Sequence, residues 1–469
     1  MKYLGINIQK YVKKNKTIRY IFALTVLLSV FSCDSLLDVD TPQNIVVDRN
    51  VWSNAQTLRT AVNGLYTRNL LSNTLYYYAL PFYLTVITDD AYHTSTSYDD
   101  LRYNAYTPTN TYTAYFWSYP YQSIFLSNDL ITNLSSTSLI EENEKQHYIG
   151  EAKYFRAYSY FILSSLFGDV PLIESTKIME TTLQPRVAKE TIVQFIIQDL
   201  KDVEIALSDS DNPKTKVTKA AASALLARNY LYHEEWKNAE DKANEVITTS
   251  GYVLEESLDN VFLRSSKESI FQTSSSGTWS SYIDRVYFAN LAVNKSYLLI
   301  TDDFANSFEA GDLRKTKWFT TVSSVLHPYK YKRTASSSAG AAEDFVSLRL
   351  AEQYLIRAEA RAQQGKLTGA DGALADLNAI RKRAGLPNLS ETLTKAQVLL
   401  QVEKERRSEL FTEEIHRWWD LVRTGRVDAV LGAFPDKKWV SYRALFPVPE
   451  IELNKNKNLT QNPGYGTIK

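Results

Sequence analysis

Glu151–Phe167 reads EAKYFRAYSYFILSSLF, and Ala152, Phe155, Ala157, Tyr160, Leu163 and Phe167 recur in it at helical spacing. That spacing lines apolar side chains along one side of an α-helix, and Gly168 with Pro171 ends it. The pattern continues outward. Ile192, Phe195, Ile196, Leu200, Val203 and Leu207 predict an amphipathic helix over 191–207.

Residues 218–249 read as two helices broken near Glu234-Glu235-Trp236. Leu226, Ala227, Tyr230, Ala239 and Ala243 stand in tetratricopeptide-like register, with small residues where two helices approach closely. A second such pair spans 349–383, with Ala358, Ala370, Leu374 and Leu377 in similar positions and Gly365–Gly369 as its turn. Units of this kind cannot bury their faces alone and stack into a superhelix. Residues 401–423 predict one further helix, charged first and aromatic later, and 445–465, rich in Pro and Asn, predicts an irregular tail. The expected fold class is therefore mainly all-α, a tetratricopeptide-like superhelix with a loop-rich, irregular ligand-binding face.

Two segments escape the helical period. Residues 89–110, DDAYHTSTSYDDLRYNAYTPTN, carry Tyr92, Tyr98, Tyr103 and Tyr106 with almost no aliphatic residue, and 273–290 is Ser-rich with Trp279, Tyr282, Tyr287 and Phe288. Long polar loops that carry aromatics inside a compact protein are usually functional. Tyr and Trp offer rigid faces for stacking, and Asp, Asn and Arg offer paired hydrogen bonds. The candidate ligand-binding residues are thus Tyr92, Tyr98, Asp99, Arg102, Tyr103, Asn104, Trp279, Tyr282, Asp284 and Arg285, with Asp100 beside them. Any of these tyrosines could instead pack its loop onto the helical body.

The amino terminus has a different character. Lys2, Lys10, Lys13, Lys14, Lys16 and Arg19 precede the twelve-residue apolar run Tyr20–Phe31, which suits a signal-peptide core and is too short to cross a bilayer. It leads through Ser32 into Cys33, the only cysteine of 469 residues. This resembles a bacterial lipobox, with Phe31 bulkier than is usual there, and implies cleavage after Ser32 and acylation of Cys33. Residues 33–50 then form a tether.

Composition narrows the function. One cysteine excludes an intrachain disulfide, a Cys-based zinc site and an iron–sulfur cluster. The 53 basic and 53 acidic residues balance, but six of the basic ones precede Cys33, leaving 47 against 53 and arguing against a nucleic-acid surface. No zinc-protease helix motif, nucleophile elbow or phosphate loop is present, and His93, His147, His233, His327 and His416 are scattered. Neither a cofactor nor a metal site is indicated. The pairs Asp89-Asp90, Asp99-Asp100 and Asp302-Asp303 leave a surface glycoside hydrolase as an alternative, because that chemistry needs two carboxyls at a fixed separation. Acid pairs in loops are more often solvated or capping groups, and the expectation is a protein that is not an enzyme.

Three blocks carry a resemblance: EAKYFRAYSYFILSSLFGDVPLI (151–173), EKERRSELFTEEIHRWWDLVRTGR (403–426) and LFPVPEIELNKNKNLTQNPGY (445–465). In content and order they resemble the SusD/RagB family of Bacteroidota. The resemblance implies an outer-membrane lipoprotein that faces the exterior, binds a glycan or related nutrient and delivers it to a SusC-like TonB-dependent transporter. It implies a signal peptide over 1–32 and one body over 33–469. Within that body a helical scaffold includes 149–250 and 345–425, and a variable ligand face includes 89–112 and 273–330. It also makes Arg156, Asp169, Arg407, Glu409, Arg417 and Asp420 structural. A tetratricopeptide-like peptide-binding scaffold remains the other alternative.

Overall fold

A computed structural model describes residues 51–70, 80–208, 213–249, 251–273, 298–332 and 343–466. The chain divides after Thr57 into a short leading unit and one body, Leu58–Lys469. The expected processing site at Cys33, the tether, and Trp279, Tyr282, Asp284 and Arg285 lie outside the described residues.

The body is mainly helical. Among the described residues the helices of two turns or more are α1 (Ala55–Leu70), α2 (Thr111–Ser136), α3 (Glu142–Phe167), α4 (Lys189–Ala206), α5 (Lys219–Tyr232), α6 (Trp236–Thr248), α7 (Leu350–Gln363), α8 (Ala373–Arg383), α9 (Lys395–Leu410) and α10 (His416–Arg423). The helices pack against their neighbours: α3 lies against both α2 and α4, α6 against both α5 and α7, and α7 against both α8 and α9. Small residues set the spacing. Gly150 is where α3 meets α4, since a Cβ there would lie 3.1 Å from the Ala206 Cβ. Ala351, Ala358, Ala362 and Ala373 bury their methyls among Leu355, Leu374, Leu377 and Val398 in the core of the α7–α9 group. Tight contact of this kind gains dispersion energy that a larger side chain would forfeit by overpacking.

Among the described residues six short strands accompany the helices in two-stranded antiparallel pairs: β1 (Ala91–Tyr92) with β3 (Leu299–Ile300), β2 (Ser269–Thr273) with β6 (Phe345–Arg349), and β4 (Phe319–Val322) with β5 (Val325–Pro328). The described parts of the expected loop face are therefore more regular than their composition suggests. Residues 89–110 contain β1, a 3₁₀ turn at Thr96–Tyr98 and one helical turn at Asp99–Arg102. The expected irregular tail likewise contains a helical turn at Glu450–Lys455.

The single helix expected over 401–423 is two helices, α9 and α10. Thr412 and Glu414 between them adopt left-handed backbone, with φ of 56° and 44°. No glycine or proline imposes the break. Non-glycine residues enter this region at a cost of roughly 1–2 kcal/mol each, and buried charge offsets it here. In the broken geometry Glu413 accepts from Arg349 and Lys330, while the next residue, Glu414, accepts from Arg228. Two adjacent acids thus serve cations on different elements.

These pairs belong to a wider buried network. Arg349 Nη1 donates to Glu268 at 2.8 Å and to Glu409 at 2.7 Å. Arg383 donates to the same two carboxylates. Arg314 bridges Asp312, Glu405 and Glu409. Burial alone would raise the Glu409 carboxyl, but the charges of Arg383, Arg349, Arg314 and Lys330 outweigh it and hold the group far below the usual carboxylate range. The network ties α8 and α9 to Glu268 just before β2, to β6 and to the helical turn Leu313–Lys317 that carries Arg314. Most of the residues expected to be structural are engaged in this way. Arg156 forks onto Asp199 at 2.8 and 2.7 Å, and Asp420 accepts from Arg406 and Arg423.

Candidate binding cleft

The segment following Val86 is held from three directions. Its strand β1 pairs with β3, Ala91 opposite Ile300 and Tyr92 opposite Leu299. Thr301 fastens that register, its hydroxyl donating to the Asp89 carbonyl at 2.7 Å and its N–H to the Asp90 carbonyl at 3.0 Å. Beneath the strand, the Arg417 fork donates to both Asp89 oxygens at 2.8 Å. Arg407 reaches Asp89 at 2.7 Å, Asp90 at 2.8 Å and Asp303 at 3.2 Å. Burial opposes the Asp89 charge, yet the two arginines hold its carboxyl below the usual range. Burial pushes Asp90 up, against Arg407 and with the Asp89 charge beside it. Of the three acid pairs considered for hydrolytic chemistry, Asp89 and Asp90 are thus buried partners of arginines.

The third hold comes from Lys437. Its ammonium donates to the carbonyls of Ile87 at 3.0 Å and Arg102 at 2.9 Å, and the N–H of Lys438 donates to the Tyr103 carbonyl at 2.7 Å. Burial pushes the Lys437 amine down to about 7.

Between these supports opens a cleft of about 240 Å³, with Thr88, Asp89, Tyr92, Arg102, Tyr103, Thr301, Asp302, Phe434, Asp436 and Lys437 among its lining. Arg102 lies between two rings, its guanidinium 4.8 Å from the Tyr92 centroid and 5.2 Å from that of Tyr103. Cation–π contact orders all three side chains. The five guanidinium N–H groups keep their fork geometry for a ligand with paired acceptors. Three residues singled out in the sequence, Tyr92, Arg102 and Tyr103, therefore meet in one place.

The others on this segment have different surroundings. Tyr98 belongs to an aromatic cluster with Phe82 at 5.1 Å, His93 at 4.5 Å and Tyr112 at 5.8 Å. His93 accepts from the Ser95 N–H through Nδ1 at 2.8 Å, and burial pushes its imidazole down to about 4. Asp99 opens the helical turn, its carbonyl accepting from the Tyr103 N–H at 2.9 Å. Asn104 is fully buried with φ +53°, and its amide donates to the Ile87 carbonyl at 3.0 Å. Asn104 shapes the turn instead of facing the cleft. Phe434, Asp436 and Lys437 had no sequence signal beyond a Pro-Asp turn in a segment without periodicity.

A larger groove of about 520 Å³ runs between α5, α7, α9 and α10, floored by Leu231, Trp236, Leu399 and Val402 and rimmed by Glu403 and Arg426. Among the described residues no group of three His, Cys, Asp or Glu side chains is placed to hold a metal ion. None of the described helices is long and apolar enough to cross a membrane.

Fold and cleft together define a tetratricopeptide-like repeat protein with a loop-borne aromatic cleft. The chain belongs to the SusD family, whose model matches residues 229–465. A second model, described as starch-binding associating with outer membrane, matches 36–231. SusD-like protein P2 of Formosa agariphila is 26% identical over 508 residues, spanning 94% of this chain and 98% of its own. A SusD-like protein from Bacteroides fragilis superposes with a TM-score of 0.76 at 21% identity, covering 90% of this chain and 99% of that one. Surface glycan-binding protein A from Bacteroides thetaiotaomicron, solved in complex with laminarihexaose, gives 0.73 at 20% identity, covering 87% and 99%. The mainly helical, tetratricopeptide-like fold expected from the sequence is the fold of these structures.

Proposed function

We propose that the protein is a surface-exposed outer-membrane lipoprotein that captures an oligo- or polysaccharide without cleaving it and delivers it to a SusC-like TonB-dependent transporter. The observation that carries this reading is the Tyr92–Arg102–Tyr103 arrangement at the mouth of the cleft. Pyranose rings present apolar C–H faces that stack on aromatic rings, and their vicinal hydroxyls supply paired acceptors for a guanidinium fork. Tyr98, Asp99, Trp279, Tyr282, Asp284 and Arg285 remain in the proposal as ligand contacts. Family membership and the glycan complex of a structural relative support it.

Calorimetry of the purified protein against a panel of polysaccharides tests this reading. One member of the panel should bind, and Tyr92→Ala or Tyr103→Ala should each weaken it by about tenfold, as expected for losing one ring at roughly 0.5–1.5 kcal/mol beyond its buried area. The melting temperature should not move. Silence across the whole panel would sink the proposal.

The anchor in this reading is acyl chains on Cys33, several of which hold a protein at a bilayer more firmly than one. Cys33→Ala should then give folded protein released from the membrane fraction. Labelled palmitate incorporated at the wild-type level would contradict it. The groove between α5, α7, α9 and α10 gives the transporter an apolar surface to dock against. Co-purification of the two proteins checks that step, and a transporter that never co-purifies argues against delivery.

A further inference from the structure

The outer side of α2 carries a second cleft, of about 480 Å³, lined by Arg68, Trp117, Tyr121, Gln122, Phe125 and Glu452 among others. Trp117, Tyr121 and Phe125 recur at four-residue steps and so lie in one row along the helix. The Trp117 and Tyr121 rings stand 5.3 Å apart at 45°. Phe125 is 50% exposed, and just beyond, Tyr115 stacks on Tyr119 at 5.1 Å and 6°. Trp117 is buried and Tyr121 donates its hydroxyl to the Pro171 carbonyl, but Phe125 and Tyr115 are exposed, and exposed apolar patches of this kind mark interaction sites.

Arg68 joins the two groups of rings. Its guanidinium sits 5.9 Å from the Tyr119 centroid while its side chain lines the cleft. Among the described residues no carboxylate or carbonyl accepts from it, in contrast with the arginines of the buried network. Gln122 adds an exposed amide, and Glu452 adds a carboxylate that also pairs with Lys455 at 3.0 Å.

We infer that this cleft is a second carbohydrate subsite, taking a hexose unit of the same polysaccharide. The inference rests on the glycan reading above. Three observations favour a sugar over a protein partner. Three of the large side chains of the walls, Trp117, Tyr121 and Phe125, are aromatic, which suits C–H faces. The Arg68 fork, with no acceptor among the described residues, and the Gln122 amide both line the cleft, as paired hydroxyls require. The volume lies within the roughly 300–1,000 Å³ of small-ligand sites, whereas a stable protein interface needs about 800 Å² on each partner. Two subsites on one chain make the second contact of a long polymer intramolecular, which raises avidity without any new partner.

The test compares wild type with Phe125→Ala/Arg68→Ala, using the polymer that binds best in the panel and its hexasaccharide. Titration with the hexasaccharide should resolve two sites on wild type and one on the variant. Affinity for the polymer should fall by tenfold or more, while the remaining site keeps its affinity and its sensitivity to Tyr103→Ala. A wild-type protein with one site that the double substitution leaves unchanged overturns this inference and leaves the glycan reading standing. Capture of a protein at this face, with hexasaccharide titration unaltered, also overturns it. If wild type binds no member of the panel, the glycan reading falls and the second subsite with it.

Discussion

Glu409→Ala is expected to cost about 3–5 kcal/mol of stability, the range for deleting one partner of a buried ion pair. The carboxylate is fully buried and serves Arg349, Arg383 and Arg314 together. Removing it leaves three guanidinium groups crowded in a low-dielectric site with one fewer counter-charge. Each retains another acid, Glu268, Glu413, Asp312 or Glu405, so the network weakens without dissolving. The pH dependence has a definite sign. A carboxyl held below its unfolded value contributes stability that is present at neutral pH and lost as acid protonates the folded form. Urea unfolding should therefore show a lower midpoint for the variant at pH 7 and a shrinking gap from wild type as the pH falls into the strongly acidic range. A difference under about 1 kcal/mol at pH 7 would mean that the cluster relaxes around the loss and does not set the position of α9.

That cluster also marks where reading the sequence stops. The repeat helices were legible because each element buries one face, so apolar residues recur at a period local to the chain. Helix α5 and its turn at Glu234–Trp236, and α7 with α8, were visible for that reason. The break at Thr412–Glu414 was not, since its cause is a set of cations contributed by residues 228, 330 and 349. Long-range charge pairing leaves no local pattern. Helix α2 is a different case: Thr113, Phe116, Trp117, Pro120, Ile124 and Ser127 are among its buried positions and follow the helical period. Its many polar residues and the internal Pro120 obscured it. At the cleft, aromatics in a polar segment drew attention to Tyr92, Arg102 and Tyr103, and the structure brings these three side chains together. The supports under them, β3 about 200 residues later and Lys437 some 335 residues beyond Arg102, could not be read from local composition.

Arg417→Met joins the scaffold to the cleft, and both should respond. The guanidinium is nearly buried and forms the two-pronged contact under Asp89, a residue that also lines the cleft floor. Without it, Asp89 keeps Arg407, but that one side chain must then serve Asp89, Asp90 and Asp303 together. The expected cost is about 3 kcal/mol, at the lower end of the range for breaking a buried pair because one counter-charge remains. Arg417→Lys should recover only part of it, since a single ammonium cannot reproduce the planar fork. The strain falls on the segment from Thr88 to Tyr92, whose backbone is tied to Thr301 through the Asp89 and Asp90 carbonyls. Hydrogen exchange should therefore rise across β1 and β3 before it rises in the repeat helices. Under the proposed function, glycan affinity should fall by more than for Tyr92→Ala alone, because the Tyr92 ring and its spacing from Arg102 are lost together. Equal protection of β1 in wild type and Arg417→Met, with glycan affinity intact, would show that β3 and Lys437 suffice to hold the cleft and that the Asp89–Arg417 pair serves only α10.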